Sequence, residues 1–368
     1  MNQNFENKTL EYDLEAYPWD IWVLEEIKKE FPSVTSLENI HNEIPEEEIF
    51  EVCIFVQDLF KTERWMRNLS RFAKRYISPL LDEDFLIKRQ PTLNLVVPNQ
   101  ERLGRRLPFH QGIFYDNGRG QGTIWMPLTK SFGSNAMWII NTEESRQLTK
   151  KVIEEQWDVS TFEKHCMKLA YPVELDVGQA HLFNQESIHG NINNTTEVTR
   201  MALDWHVLPK GGEFHRRLPG GFFRHPDDYS STKVEVASNN RVIGYVSNNH
   251  DLSIHWPKNF QRAIMDNYMQ DRNLVNLGYQ FENEFLDHLP ILSHLFESQP
   301  NGIVLSSIYA LPKDCEELLE KAVFNEVILY FANEHLTVKT FEDLDRVVMY
   351  RNWGVPKKGK YSWETLNF

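Results

Sequence analysis

The chain reads as an α+β protein built in three blocks. N-terminal helices come first, then a small β barrel with a polar interior, then a C-terminal three-layer α/β domain with a mainly parallel sheet. Three observations carry this reading. Apolar residues recur at helical spacing up to about residue 85. From residue 86 the texture changes to short alternating segments bounded by Gly, Pro or Asn. Beyond residue 239 strand-like and helical segments alternate, which implies parallel strands flanked by helices. The expected boundaries are 1–85, 86–212, a turn-rich linker over 213–238, and 239–368.

In residues 16–31, AYPWDIWVLEEIKKEF, the positions Ile21, Leu24, Ile27 and Phe31 share one helix face. The signal repeats over 46–77 through Ile49, Val52, Val56 and Leu59, then Leu69, Phe72 and Tyr76. Pro45 and the acidic run Glu46–Glu48 suit a first helical turn. This block reads as a helical layer rather than a chemical site. The strand segments are LIKRQPTLNLVVP, GTIWMPLT, AMWIINT, YPVELDVGQAHLFN and TRMALDWHVLP. In the last, Met201, Leu203, Trp205 and Val207 form an apolar face, and Arg200, Ala202, Asp204 and His206 the opposite one. A polar inward face is what a small barrel with a site in its mouth requires. Residues 143–169 are charged and apolar at helical spacing, a helical insertion between barrel strands.

Composition narrows the function classes. With 368 residues, 41% hydrophobic and 12% aromatic, the chain can fill sizeable cores and shows no signature of disorder. A formal net charge of −14 argues against a generic nucleic-acid surface and against an anionic membrane face. The basic cluster Arg102, Arg105, Arg106 can still meet a phosphate-bearing substrate. No apolar run approaches the ~20 residues of a membrane helix, and the start MNQNFENKT has no secretory pattern. Cys53, Cys166 and Cys315 are scattered and odd in number, so a disulfide framework is not expected and the reading is a reduced cytoplasm.

The chemistry points to residues far apart in sequence. His110 lies in LPFHQGIFYDNG, His189 in FNQESIHGN, and Arg200 eleven residues later in VTRMALDWHV. Two neutral imidazoles can hold one divalent metal, and a guanidinium beside them can clamp a carboxylate. That set suggests non-haem iron chemistry with a 2-oxo acid. In an extended segment His110 and the residue at 112 share a face, and a facial triad wants a carboxylate there. This chain has Gly112. Taken alone, either histidine is more often a satisfied surface or core imidazole, and it is the combination with Arg200 and the turn at Gly178 that favours a metal. Trp125, Trp138, Phe114 and Tyr115 can wall a pocket, with barrel core as their ordinary role. Asn191, Asn194 and Thr195 suit the turn after His189. His165, His206, His215 and His225 have no ligand spacing strong enough to displace that pair.

The stretches FHQGIFYDNGRGQGTIWMPLT and DVGQAHLFNQESIHGNINNTTEVTRMALDWHVLP resemble the phytanoyl-CoA-dioxygenase-like branch of 2-oxoglutarate/Fe(II) oxygenases. More narrowly they are similar to the sporadic carbohydrate cluster 2-oxoglutarate/Fe(II) oxygenases found among polysaccharide-biosynthesis genes. The resemblance covers about residues 86–210. It implies a double-stranded β-helix of the jelly-roll or cupin kind, with His110 and His189 on Fe(II), O2 as co-substrate, and Arg200 on the distal carboxylate of 2-oxoglutarate. Thr123 and Asn191 would join Arg200 in binding it. Two departures stand out: Gly112 replaces the Asp or Glu, and Ala202 replaces a serine that many relatives carry. The missing carboxylate has three readings. A halide can enter beside Gly112, as in halogenases with a His-x-Gly pattern. Asp116, Glu186, Asp204 or water can substitute and hydroxylation survive, which is the favoured reading. Or the site is degenerate, and the chain a catalytically inactive carbohydrate-binding or assembly protein.

Residues 240–352 resemble the small sporadic carbohydrate cluster protein through RVIGYVS, GYQFENEF, NGIVLSSIYALP and EVILYFANEHLTVKTFEDL. Their element order is also weakly similar to the catalytic domain of serine recombinases, with Ser247 near the nucleophile. SIYALPKDCEELLEK lacks the arginine cluster that chemistry needs. A ligand outside the carboxyl ends of the strands would meet Ser247, Asn248, Ser306, Ser307, Glu282 and Glu284. A scaffold or homodimerisation module is an equal reading. The expected substrate is a small carbohydrate or sugar nucleotide, with no nucleic-acid or membrane partner.

Overall fold

The computed structural model describes residues 5, 7–81, 84–99, 107–115, 117–214, 217, 219–220, 222–229, 240–247, 256–282, 289–298, 300–311, 315–353 and 355–356. Residues 1–212 and 225–229 form one compact unit, and residues 213–224 and 230–367 a second.

The first unit opens with a strand, β1 (Lys8–Glu11), followed by helices α1 (Trp19–Glu30), α2 (Ile40–Glu43), α3 (Ile49–Leu59), α4 (Glu63–Phe72) and α5 (Ser78–Leu81). A π-helical turn, Ala73–Ile77, joins the last two. Strands β2 (Phe85–Lys88), β3 (Thr92–Val96), β4 (Gly122–Pro127) and β5 (Met137–Ile139) come next. Helices α6 (Thr142–Glu155) and α7 (Val159–Leu169) then precede β6 (Tyr171–Val173), β7 (Gln179–Asn184), β8 (His189–Asn191) and β9 (Arg200–Pro209). The expected helical insertion is α6 and α7. Each starts on a side-chain cap: Asn141 Oδ1 accepts from Glu144 N at 2.8 Å, and Asp158 Oδ1 from Thr161 N at 2.7 Å.

The main antiparallel sheet runs β1-β7-β4-β9-β2. The ten-residue β9 carries β4 on one edge, while β3 and β2 share the other along its first and second halves. The N-terminal block is therefore not purely helical: Lys8–Glu11 pairs with Gln179–Leu182 and extends the sheet. A smaller sheet, β6-β5-β8, faces it. Trp125, Phe183 and Ala202 from the large sheet meet Met137, Ile139 and Val173 from the small one, which makes the arrangement jelly-roll-like.

Alternation along β9 decides which side does what. Met201, Leu203, Trp205 and Val207 join one core with Val23, Ile27, Val52, Val56, Leu69 and Phe72 of the helices. Phe72 meets Trp205 edge-on at 6.0 Å, and Tyr17, Trp19, Phe60 and Trp65 continue the aromatic packing. The helices thus seal the outer face of the sheet, and the polar face of β9 is left for the interior between the sheets.

The second unit begins with two-residue strands β10 (Glu213–Phe214) and β11 (Phe223–Arg224). It continues through β12 (Arg241–Val246), α8 (Lys258–Asp271), β13 (Val275–Phe281), α9 (Pro290–Glu297), β14 (Gly302–Leu305), α10 (Glu316–Phe324), β15 (Ile328–Phe331), β16 (Leu336–Val338), α11 (Phe341–Arg351) and β17 (Val355–Pro356). Its five-stranded sheet has the order β13-β12-β14-β15-β16, parallel except for β16. Helix α8 packs Met265, Tyr268 and Met269 on Val242, Val246, Val304 and Tyr330. This is the mainly parallel α/β sheet the alternating pattern predicts. None of Cys53, Cys166 and Cys315 is joined in a disulfide among the described residues. Among the described residues no helix is long and apolar enough to cross a membrane.

Because Trp205 is fully buried between the sheet and the helices, Trp205→Ala should cost about 3–5 kcal/mol of unfolding free energy. Urea unfolding measures it, and a loss below about 1 kcal/mol, the size of an ordinary surface change, would contradict a shared core.

Candidate functional site

The two histidines are brought together by backbone pairing. His110 and His189 form an antiparallel bridge, each donating its amide to the other's carbonyl at 2.9 Å, and Asn191 N donates to Leu107 O at 2.9 Å. Their rings lie 4.3 Å apart between centroids, inclined by 53°. Gly190 makes this approach possible, because a Cβ there would stand 2.8 Å from the backbone N and Cα of Phe109.

Both imidazoles have their tautomer fixed in the same way. His110 Nδ1 donates to Pro108 O at 2.8 Å, and His189 Nδ1 to Ser187 O at 2.9 Å. In each ring Nε2 then carries the lone pair, as in metal-binding histidines held by a backbone carbonyl. Burial lowers the pKa of His110, against the raising influence of the Pro108 carbonyl and Asp204. Burial, and then the neighbouring His110, push His189 down to about 3. Both rings are neutral near pH 7, the state a divalent cation requires. The pair therefore fits two corners of a metal site.

Arg200 begins β9 and is 1% exposed. Its Nε donates to Asn135 O at 3.1 Å, one terminal nitrogen to Asn94 O at 3.3 Å, and the other to Asn191 Oδ1 at 2.7 Å. The guanidinium carbon lies 5.2 Å from the centre of the Trp125 ring. Burial pulls its pKa down to about 9, and Asp204 opposes that. Asn191 thus serves Arg200, whereas Asn194 builds the following turn by donating to Val96 O and Val198 O. Thr195 binds Ser134. Trp125 and Trp138 sit among core side chains, the ordinary role expected of them.

The carboxylate question resolves into particular contacts. Gly112 does not continue the extended segment expected from the spacing; it opens a 3-10 turn, Gly112–Tyr115. The Gln185 side chain lies beside it: a Cβ on Gly112 would stand 1.6 Å from Gln185 Oε1. Glu186 is buried and held by Arg146, whose Nε and a terminal nitrogen approach at 3.2 and 2.8 Å, with Arg119 at 3.8 Å. Asp204 lies 3.3 Å from His206 Nε2. Burial raises its pKa, but the bond and charge of His206, with Lys88 and His189, outweigh that and leave it at about 2. Asp116 lies outside the described residues, as do the side chains of Phe114 and Tyr115, the cluster Arg102, Arg105, Arg106, and His215. Among the described residues no group of three His, Cys, Asp or Glu side chains converges as a metal site. Thr123 Oγ1 accepts from Gln185 Nε2. His165 is committed to Thr161 O and to stacking on Trp157.

Three residues of this interior were not singled out in the sequence. Gln185 and Asn117 carry no motif. His181 had a signal, since alternation along QAHLFN sets it on one face with Phe183, whose ring lies 4.7 Å from that of His189. His181 Nε2 is buried without a hydrogen-bond partner among the described residues.

In the second unit the strand-end residues bind one another. Gln261 accepts from Ser247 N and donates to Ser247 O, Ser307 donates to Glu334, and Glu282 accepts from Tyr245 and Leu292 N. Ser306 donates to Gln261. Asn248 and Glu284 lie outside the described residues.

No family model matches the chain. A 125-residue stretch is 26% identical to the streptomycin biosynthesis protein StrG of Streptomyces griseus, covering 34% of this chain and 47% of that protein, so the chain spans about half the length of this curated relative. Similar solved structures include the non-heme monooxygenase ThoJ with nickel, at 14% identity and a TM-score of 0.36, covering 56% of this chain and 76% of that one. Another is EvdO2 of Micromonospora carbonacea var. aurantiaca, at 16% identity and a TM-score of 0.34, covering 55% and 85%. A third is the non-heme alpha ketoglutarate dependent carbocyclase SnoK from nogalamycin biosynthesis, at 12% identity and a TM-score of 0.33, covering 56% and 81%.

Burial pushes the His181 pKa down to about 4 from an ordinary 6.5. Between those values the unfolded chain binds the proton that the folded chain refuses, so stability is complete above pH 6.5 and falls as the pH drops toward 4. The expected loss between pH 7.5 and pH 5 is about 2 kcal/mol. Urea midpoints across that range should show a flatter slope in His181→Leu, and an unchanged slope would remove His181 as the cause.

Proposed function

We propose that the chain is an Fe(II)- and 2-oxoglutarate-dependent oxygenase that hydroxylates or otherwise oxidises a carbohydrate or sugar-nucleotide intermediate of polysaccharide biosynthesis. Arg200 is the observation that carries this reading. It is a buried guanidinium satisfied by three neutral oxygens, with no carboxylate within ion-pair distance among the described residues. A buried cation in that state favours an anionic ligand, and the distal carboxylate of a 2-oxo dicarboxylate can accept a paired set of its N–H groups.

Each residue then has a stated task. His110 and His189 hold the metal through Nε2, with ring orientation set by Pro108 O and Ser187 O. Asn191 Oδ1 orients the guanidinium, and Trp125 lies beneath it. Thr123 acts through Gln185. Iron, when bound, supplies oxygen activation coupled to oxidative decarboxylation of the 2-oxo acid, while the protein orients and excludes water. The similarity of 125 residues to a protein named for streptomycin biosynthesis supports a biosynthetic role, and the motif resemblance of His110, His189 and Arg200 supports the cofactors.

A catalytically inactive binding or assembly protein is the second reading, favoured by the lack of a third converging carboxylate, histidine or cysteine among the described residues. Anaerobic Fe(II) with 2-oxoglutarate should give a visible charge-transfer band, and air should yield succinate. Arg200→Met should weaken 2-oxoglutarate binding about a hundredfold, the scale of truncating a buried charged hydrogen-bonding partner. A folded wild-type protein with neither band nor succinate would favour the second reading.

A further inference from the structure

The amide of Gln185 occupies the place where a side chain at position 112 would begin. A Cβ on Gly112 would meet Gln185 Oε1 at 1.6 Å, Gln185 Cδ at 2.8 Å and Asn117 Nδ2 at 2.9 Å. Gln185 is 1% exposed, and both ends of its amide are bonded. Oε1 accepts from Asn117 Nδ2 at 2.9 Å, and Nε2 donates to Thr123 Oγ1. Asn117 Nδ2 also donates to Gly112 O at 2.9 Å, and Ile113 N donates to Gln185 O at 3.3 Å. The neighbouring Gln111 is fixed to Glu186 O and Thr149. The turn after His110 and the segment after β7 are therefore interlocked at two consecutive positions.

We propose that Gln185 is a neutral plug in the position of the missing carboxylate, and that it closes the two-histidine site to small anions such as chloride. The proposal rests on the reading of His110 and His189 as metal ligands. Its physical basis is that a halide entering beside Gly112 must evict a buried amide whose oxygen and nitrogen both have partners, and a bare halide offers the displaced Asn117 and Thr123 less than the amide does. A side chain at 112 must therefore move the Gln185 amide off its two partners. Arg200 remains the route by which an anion is accepted, and it selects a carboxylate.

Two readouts test this, one of them independent of metal. In the apo-protein Gly112→Asp should lower the melting midpoint by several degrees, Gln185→Ala should lower it less, and Gly112→Asp/Gln185→Ala should recover most of the Gly112→Asp loss, a non-additive cycle. With Co(II), the visible spectrum of the wild type should not respond to chloride, Gln185→Ala should show a saturable response, and the double variant should bind Co(II) about tenfold more tightly than the wild type through its added carboxylate. A chloride response in the wild type, or Gly112→Asp as stable as the wild type, overturns the plug. Failure of every variant to bind Co(II), with the thermal cycle still coupled, overturns the metal reading and leaves the packing of Gln185 against residue 112 standing.

Discussion

The reciprocal amide bonds between His110 and His189 are the constraint on which the site depends. They place two imidazoles from segments 79 residues apart on adjacent backbone, so the ring separation is set by main-chain geometry. Gly190 is the small residue that permits it, since any side chain would press on Phe109 and separate the segments. The carbonyls of Pro108 and Ser187 then choose the tautomer. Both carbonyls lie two residues before the ring they orient, so each short segment carries its own orienting group.

Electrostatics inside the first unit follow from the polar face of β9. Arg200 and Asp204 contribute opposite charges, and the two histidines are held neutral by burial. That interior is close to balanced before anything binds. A divalent cation with a doubly charged 2-oxo acid would add no net charge, whereas a carboxylate at 112 would leave one negative charge in excess. A neutral amide from Gln185 in that place keeps the balance, which is cheaper in a dry interior than an extra ion.

The alternation of TRMALDWHVLP is why much of this was legible. One period-two pattern separated the residues that bind the helices from those that face the site, and both sets lie where the pattern puts them. The same holds for the α6–α7 insertion and the parallel strands of the second unit. Periodicity describes one element at a time, however, and the missed features are competitions between elements. Lys8–Glu11 falls inside the expected helical block and becomes a strand where β7 offers an edge. Gly112 reads as extended, yet a turn forms where Gln185, 73 residues away, fills the space. Glu186 reads as a spare carboxylate, but Arg146 on the inserted α6 neutralises it. No local pattern encodes these pairings.

The strand ends of the second unit and the interior of the first treat their buried polar groups differently. At the strand ends of the second unit, Gln261, Ser247, Ser306, Ser307, Glu282 and Glu334 bond to one another or to nearby backbone. Glu334 is fully buried and its pKa is pushed up to about 7 by desolvation, against hydrogen bonds from Ser307, Asn333 and backbone amides that lower it. Such a network fixes strand ends and presents little unmet bonding capacity. The interior of the first unit instead keeps a cation among neutral oxygens and an imidazole nitrogen, His181 Nε2, with no partner among the described residues. Buried groups in that state are costly unless something completes them. An anionic group beside Arg200, or a donor reaching His181 Nε2, would complete them.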